Sequence, residues 1–200
     1  MTIKTIQVGP IETNCYIISE GNPPTGGAIL IDPGDEAEKI IKELGELKLK
    51  AIILTHLHFD HIIAARKIKS ITGAKIYCCK DDLEILDEKL LTKSEIDGFL
   101  EDKSELTCLH AYTLTTIFTP GHTPGSICLY DEKNGILFSG DTIFAGSIGV
   151  THFKGGDFNQ IKNSIENKLF TLPDDTLVYP GHGRSFVLGE EKDNIKKLIL

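Results

Sequence analysis

Ala51-Ile52-Ile53-Leu54-Thr55-His56-Leu57-His58-Phe59-Asp60-His61 decides how this chain is read. Its first four residues form a short apolar run, the mark of a buried strand. Three imidazoles and a carboxylate follow within six residues, His56 to His61. Imidazole with carboxylate suits divalent zinc, iron or manganese. A loop leaving a strand can turn such side chains to one point, and His58 and His61 bracket the expected start of the next helix.

The same placement recurs along the chain. Strand Thr116-Ile117-Phe118 leads to Gly121-His122, strand Ile136-Leu137-Phe138 to Gly140-Asp141, and strand Leu177-Val178-Tyr179 to Gly181-His182. Each time a possible ligand follows a strand and sits beside glycine, which lets the backbone turn sharply. One such Pro-Gly-His or Gly-Asp would be an ordinary turn. Four strand ends of this kind point to one site, because ligands in open α/β sheets gather there.

Further strands are expected at Ile3–Val8, Cys15–Ile18, Ala28–Ile31, Lys75–Cys78, Thr113–Phe118, Ser126–Tyr130, Ile136–Phe138 and Thr176–Tyr179. Helices are expected at Glu36–Leu47, Ile62–Ile71, Asp81–Leu91, Lys93–Leu100, Asn159–Phe170 and Glu190–Leu200. Asn134-Gly135 is a hairpin turn, and Gly21–Gly27 is a loop at a hairpin tip. Interleaved strands and helices imply an α/β layered domain. No linker divides residues 1–200, which read as a single domain.

Composition narrows the function. The chain has 200 residues, 29 acids against 21 Lys and Arg, and a formal net charge of −8, which disfavours a nucleic-acid partner. No apolar run reaches the roughly 18 residues that span a bilayer, and no signal-type segment opens the chain. Five cysteines, without a Cys-x-x-Cys pair, fit a reducing cytoplasm better than a disulfide framework. Cys15 and Cys128 lie in strand patterns and read as core. Gly-x-Ser-x-Gly and phosphate-loop motifs are both missing.

His56-Leu57-His58-Phe59-Asp60-His61, then His122, Asp141 and His182, resemble the metal signature of the metallo-β-lactamase superfamily. Thr13-Asn14-Cys15-Tyr16 and Leu30-Ile31-Asp32-Pro33-Gly34 extend the likeness over nearly the whole chain. Gly121-His122-Thr123-Pro124-Gly125-Ser126 and Phe138-Ser139-Gly140-Asp141-Thr142-Ile143-Phe144 resemble its glyoxalase II-like hydrolase branch. The resemblance implies a four-layer αββα sandwich of two mixed sheets flanked by helices. It implies two divalent metal ions, zinc first and iron or manganese as alternatives. His56, His58 and His122 would bind one ion, Asp60, His61 and His182 the other, and Asp141 both.

The reaction implied is hydrolysis of a small-molecule thioester such as S-lactoylglutathione, by water acidified between the ions, with Asp60 also handling a proton. Same-fold alternatives are an iron persulfide dioxygenase and a lactonase or phosphodiesterase. A non-enzymatic metal-binding protein is disfavoured, because structural zinc sites are closed and four-coordinate. The chain departs from the branch in two places. Val150 and His152 stand where the close pattern has arginine and aspartate, which removes a cation–carboxylate pair and makes His152 a candidate substrate-facing residue. Only Gly183–Leu200 follow His182, so no C-terminal glutathione-binding helical domain is expected. Asp81–Asp102 is a candidate pocket cover or a packing segment, and His110 reads as an ordinary surface or core histidine.

Overall fold

The computed structural model describes residues 1–21, 23, 26–109 and 112–200. His110 and part of the Gly21–Gly27 tip lie outside them. The chain divides into two compact units, residues 1–100 with 107–113, and residues 101–106 with 114–200.

The first unit is built on a six-stranded sheet ordered β1 (Thr2–Val8), β2 (Thr13–Glu20), β3 (Gly27–Ile31), β4 (Lys48–Ile53), β5 (Lys75–Cys78) and β6 (Gly98–Phe99). The first three strands form an antiparallel meander, and β3 to β6 pair in parallel. Residues of both parities are buried along β3, as its unbroken apolar run requires of a parallel strand. Helix α1 (Ala37–Leu44) buries Ile40 and Leu44, one turn apart, among Leu30, Ile52 and Leu54 of the sheet side.

The single helix expected over Ile62–Ile71 is two: α2 (Phe59–Ile62) and α3 (Ala65–Thr72). The break has a physical cause. A continuous helix would bond the Ala64 N–H to the Asp60 carbonyl. Gly34 instead lies against that carbonyl so closely that a Cβ there would sit 1.7 Å from its oxygen. The Ala64 N–H goes to the Pro33 carbonyl at 3.0 Å.

The helices expected over Asp81–Leu91 and Lys93–Leu100 do not form. Short 3₁₀ turns stand at Lys80–Glu84 and Lys93–Glu95. Buried Asp82 spends its carboxylate on the Leu57 N–H at 2.9 Å, and Asp97 accepts from the Ile76 N–H at 2.8 Å, which draws Gly98–Phe99 into the sheet as β6. Leu83, Ile85, Leu86, Leu90 and Leu91 pack into the first unit's core, so this segment is a packing element there.

The second six-stranded sheet contains β7 (Glu105–Leu109), β8 (Tyr112–Phe118), β9 (Ile127–Asp131), β10 (Ile136–Gly140), β13 (Leu177–Pro180) and β14 (Phe186–Val187). Its order is β14-β13-β10-β9-β8-β7. Between β10 and β13 a two-stranded hairpin, β11 (Ile143–Phe144) with β12 (Ser147–Ile148), stands apart from this sheet. Asn134-Gly135 turns β9 into antiparallel β10, with Gly135 left-handed at φ 62° and Asp131 accepting from the Asn134 N–H. β10 and β13 are parallel. Helix α4 (Phe158–Asn167) starts at Asp157, whose carboxylate accepts from the Gln160 N–H at 3.0 Å. With α5 (Leu188–Ile199) it covers the sheet through Ile161, Ile165, Ile195 and Ile199.

Two mixed sheets with packed helices are the α/β organisation expected. β6, β7, β11, β12 and β14 lie outside the expected strands, and all but β7 are two-residue strands too short to show a period. Among the described residues no helix is long and apolar enough to cross a membrane.

The thiols of Cys15, Cys78, Cys79 and Cys128 are free and buried. Burial, aided by the negative charge of Asp32, pushes the Cys15 thiol well up, and burial raises Cys78 to about 12 and Cys128 to about 11. These are core side chains, not nucleophiles. Native protein treated with iodoacetamide at pH 7.5 (on the order of one pH unit below an ordinary thiol pKa) is expected to stay unmodified at these four positions by peptide mass spectrometry, and to react there once unfolded.

Candidate metal centre

In the first unit the donors hang from the ends of two parallel strands. β3 ends in Asp32, held in the left-handed region at φ 49°, and its N–H donates to the Ile53 carbonyl at the end of β4. The Asp32 carboxylate is buried and accepts two hydrogen bonds, with His61 Nδ1 close by. The Thr55 N–H donates at 2.8 Å and the Thr55 hydroxyl at 2.7 Å, and His61 Nδ1 stands 3.0 Å from Oδ2 as an ion-pair contact. His58 caps α2, accepting the His61 N–H on its carbonyl at 3.0 Å, so Asp60 and His61 fall in the first helical turn.

These bonds assign ring protons. Thr55 spends its one hydroxyl proton on Asp32, so His56 Nδ1, 3.1 Å away, is the donor to Thr55 Oγ1. The Asp32 carboxylate, 3.0 Å from His61 Nδ1, favours the ring proton on that nitrogen. Each ring then presents a lone pair at Nε2. The His56 ring stands 4.9 Å from His58, nearly perpendicular, and 4.0 Å from His61. His61 Nε2 faces Asp60 Oδ2 at 3.3 Å, and the Thr13 hydroxyl donates to that same oxygen at 3.1 Å.

The second unit repeats the logic. A bulge between Phe138 and Gly140 brings Gly140 opposite Pro180, and the Gly181 N–H donates to the Gly140 carbonyl at 2.8 Å. Asp141 and His182 therefore leave neighbouring parallel strands side by side. His122 follows Gly121, whose φ of 134° and position against Ile161 exclude any side chain. His122 Nδ1 donates to the Val150 carbonyl at 2.7 Å, again leaving Nε2 as the lone-pair nitrogen. Gly149 permits this approach, since a Cβ there would lie 1.9 Å from the Asp141 carbonyl oxygen. Asp141 Oδ2 then stands 3.7 Å from His122 Nε2 and 3.5 Å from His182 Nε2.

The donor sets fit a divalent cation. Two ligands each about 2.1 Å from a tetrahedral ion are roughly 3.4 Å apart. The spacings of 3.3, 3.5 and 3.7 Å match that edge and exceed good hydrogen bonds. Lone pairs facing carboxylate oxygens repel unless a cation or proton lies between them.

The seven candidate ligands are thus gathered as four in the first unit and three in the second. His152 is exposed, its ring 4.4 Å from that of Phe153, on the loop that supplies the Val150 carbonyl. Asp32, Thr55 and Asp82 were not foreseen as supports of the donors. Asp32 ends an apolar run before Pro33-Gly34, a placement that signals only a turn, and a backbone carbonyl such as that of Val150 leaves no trace in a sequence.

A family model described as the metallo-β-lactamase superfamily matches residues 8–182. The chain belongs to that superfamily. It is 35% identical to the hydroxyacylglutathione hydrolase GloC of Haemophilus influenzae, over 96% of this chain and 95% of GloC. Among solved structures it is similar to the BLEG-1 B3 metallo-β-lactamase, with TM-score 0.85 and 36% identity over 96% of this chain and 97% of that one. It is also similar to TTHA1623 in a di-iron-bound form, with TM-score 0.83 and 31% identity over 96% and 98%. The two six-stranded mixed sheets match the fold of this metallo-hydrolase superfamily.

Asp32→Asn should keep the fold by circular dichroism yet weaken divalent-metal binding about 10- to 100-fold in chelator competition, because His61 loses its charged neighbour. Val150→Arg should leave divalent-metal affinity unchanged, since the group that holds His122 is the backbone carbonyl of Val150.

Proposed function

We propose that the donors of the two units hold two divalent ions, and that the chain hydrolyses small acyl-thiol esters of the S-lactoylglutathione kind. The observation that carries this is Asp141 Oδ2, set at metal-ligand spacing from two imidazole nitrogens at once. Superfamily membership supports assigning His56, His58 and His122 to one ion and Asp60, His61 and His182 to the other, with Asp141 shared. The likeness to GloC supports the thioester.

Zinc is the metal proposed. Bound divalent ions supply acidified water and a polarised carbonyl. The chain's own groups do the rest. Asp60, its Oδ2 anchored by the Thr13 hydroxyl, holds a proton beside the reacting carbonyl. The leaving thiolate needs no proton donor, because a thiol is far more acidic than an alcohol. His152 faces the substrate from the loop that orients His122. The free buried thiols support work in a reducing cytoplasm, and the net charge of −8 disfavours a nucleic-acid partner.

Protein purified without chelator should carry about two ions per chain and hydrolyse S-lactoylglutathione. Asp141→Ala should lose both properties while staying folded. His152→Ala should raise KM and leave metal content unchanged. The di-iron form of TTHA1623 favours a second reading, with iron in the same positions, which metal analysis decides. A single iron with oxygen uptake on glutathione persulfide would overturn the hydrolytic reading, as would a β-lactam or lactone cleaved far better than any thioester.

A further inference from the structure

Among the described residues, the second unit buries two carboxylates, Asp131 and Glu191. Asp131 closes the Asn134-Gly135 turn. Glu191 has no such local duty. It lies in the first turn of α5, where an acid suits the helix dipole, but exposed Glu190 in the same turn already supplies that. Burying the Glu191 side chain carries a cost that its place in the helix does not explain.

Its neighbours do. Arg184 Nη2 donates to Oε1 at 2.9 Å, and Asn194 Nδ2 donates to Oε2 at 3.0 Å. Gly146, at the turn of the β11–β12 hairpin, stands over Oε2, where a Cβ on it would lie 3.6 Å away. Ala145 and Ile148 of the same hairpin pack on the cluster that holds Leu188, Ile195 and Ile199 of α5. One carboxylate therefore meets two segments that carry candidate ligands. Arg184 follows His182 by two residues. The hairpin leaves from Asp141-Thr142 and returns to Gly149-Val150, with the Gly149 N–H on the Thr142 carbonyl at 3.2 Å. The Val150 carbonyl just beyond it orients His122, and its Phe144 ring lies 6.2 Å from the His182 ring.

We propose that Glu191 is a positioning residue for the metal centre: from α5 it locks the hairpin and the segment after His182 to one another, and so fixes where Asp141, His122 and His182 present their donor atoms. Its link to an ion rests on the two-ion reading proposed above. An exposed ion pair contributes little, but this pair is lopsided. The Arg184 side chain is 67% exposed and that of Glu191 only 11%. Breaking the pair leaves Arg184 in water and Glu191 buried with one donor fewer, so the carboxylate is the end that enforces the geometry. Glu191 acts through backbone segments and touches no reacting atom.

Zinc affinity by chelator competition, kcat and KM on S-lactoylglutathione, and amide hydrogen exchange of the metal-free protein together test this role. Glu191→Ala should weaken zinc binding about tenfold and lower kcat about tenfold while KM stays within about twofold. In the metal-free protein it should speed exchange of the Gly149 and Gly181 N–H groups about tenfold, with Leu137 and Ile195 at the native rate. Glu191→Gln keeps the shape and, with the Asn194 amide turned over, both hydrogen bonds, so zinc affinity should return to within about threefold of native. Arg184→Met should also weaken zinc, and adding it to Glu191→Ala should cost nothing further. Native zinc affinity and exchange in Glu191→Ala, a Gln variant as weak as the Ala variant, or losses that add in the double variant would each overturn the proposal. So would exchange raised equally at Leu137 and Ile195, since Glu191 would then serve general stability. Should Glu191→Ala fail to fold, Arg184→Met carries the same zinc and exchange readouts, and native values there overturn the proposal. If the native protein takes up zinc but cleaves no thioester, only the hydrolytic reading falls, and zinc affinity with exchange decides the role of Glu191.

Discussion

A buried carboxylate is costly unless its oxygens are satisfied, and Asp32 is such a group. Its two hydrogen bonds, from the Thr55 N–H and hydroxyl, and its ion-pair contact with His61 Nδ1 tie the end of β3 to the end of β4 and to α2. Losing any one would leave a charged acceptor short inside the first unit. The geometry of the histidine loop is thus enforced by an electrostatic penalty rather than by loop stiffness. The hydrogen bond from His56 Nδ1 to Thr55 extends the same constraint one ring further. Orientation and protonation of two rings are settled together by one acid.

The second unit reaches a comparable end by other means. Asp141 and His182 are brought together by strand pairing, through a bulge and one backbone hydrogen bond between Gly181 and Gly140. His122 is steered by a carbonyl. Close approach is bought with glycine at two places, Gly121 against Ile161 and Gly149 against the Asp141 backbone. One unit spends a buried charge and the other spends backbone freedom.

Legibility in the sequence followed the same division. The donors were readable because imidazoles and carboxylates after apolar strands are a chemical pattern, and β3, β4 and β5 were readable because parallel strands are continuous apolar runs. Helix boundaries near the site were not. Nothing in Phe59–Thr72 reports that Gly34, some 25 residues upstream, presses on the Asp60 carbonyl and breaks the helix. The amphipathic spacing of Asp81–Leu91 is real, and its apolar residues do pack into the core. Its backbone nevertheless forms only the short 3₁₀ turn at Lys80–Glu84, where buried Asp82 accepts from the Leu57 N–H.

The Val150 carbonyl has an evolutionary consequence. Because a main-chain oxygen, common to every amino acid, holds His122, the side chain at position 150 carries no duty toward that ring. Descendants can exchange arginine for valine at this rim, and with it the charge presented to incoming molecules, without re-solving the placement of a ligand. Selectivity can drift while the inorganic chemistry is inherited intact. Divergent substrate ranges on one scaffold are what such a separation of duties permits.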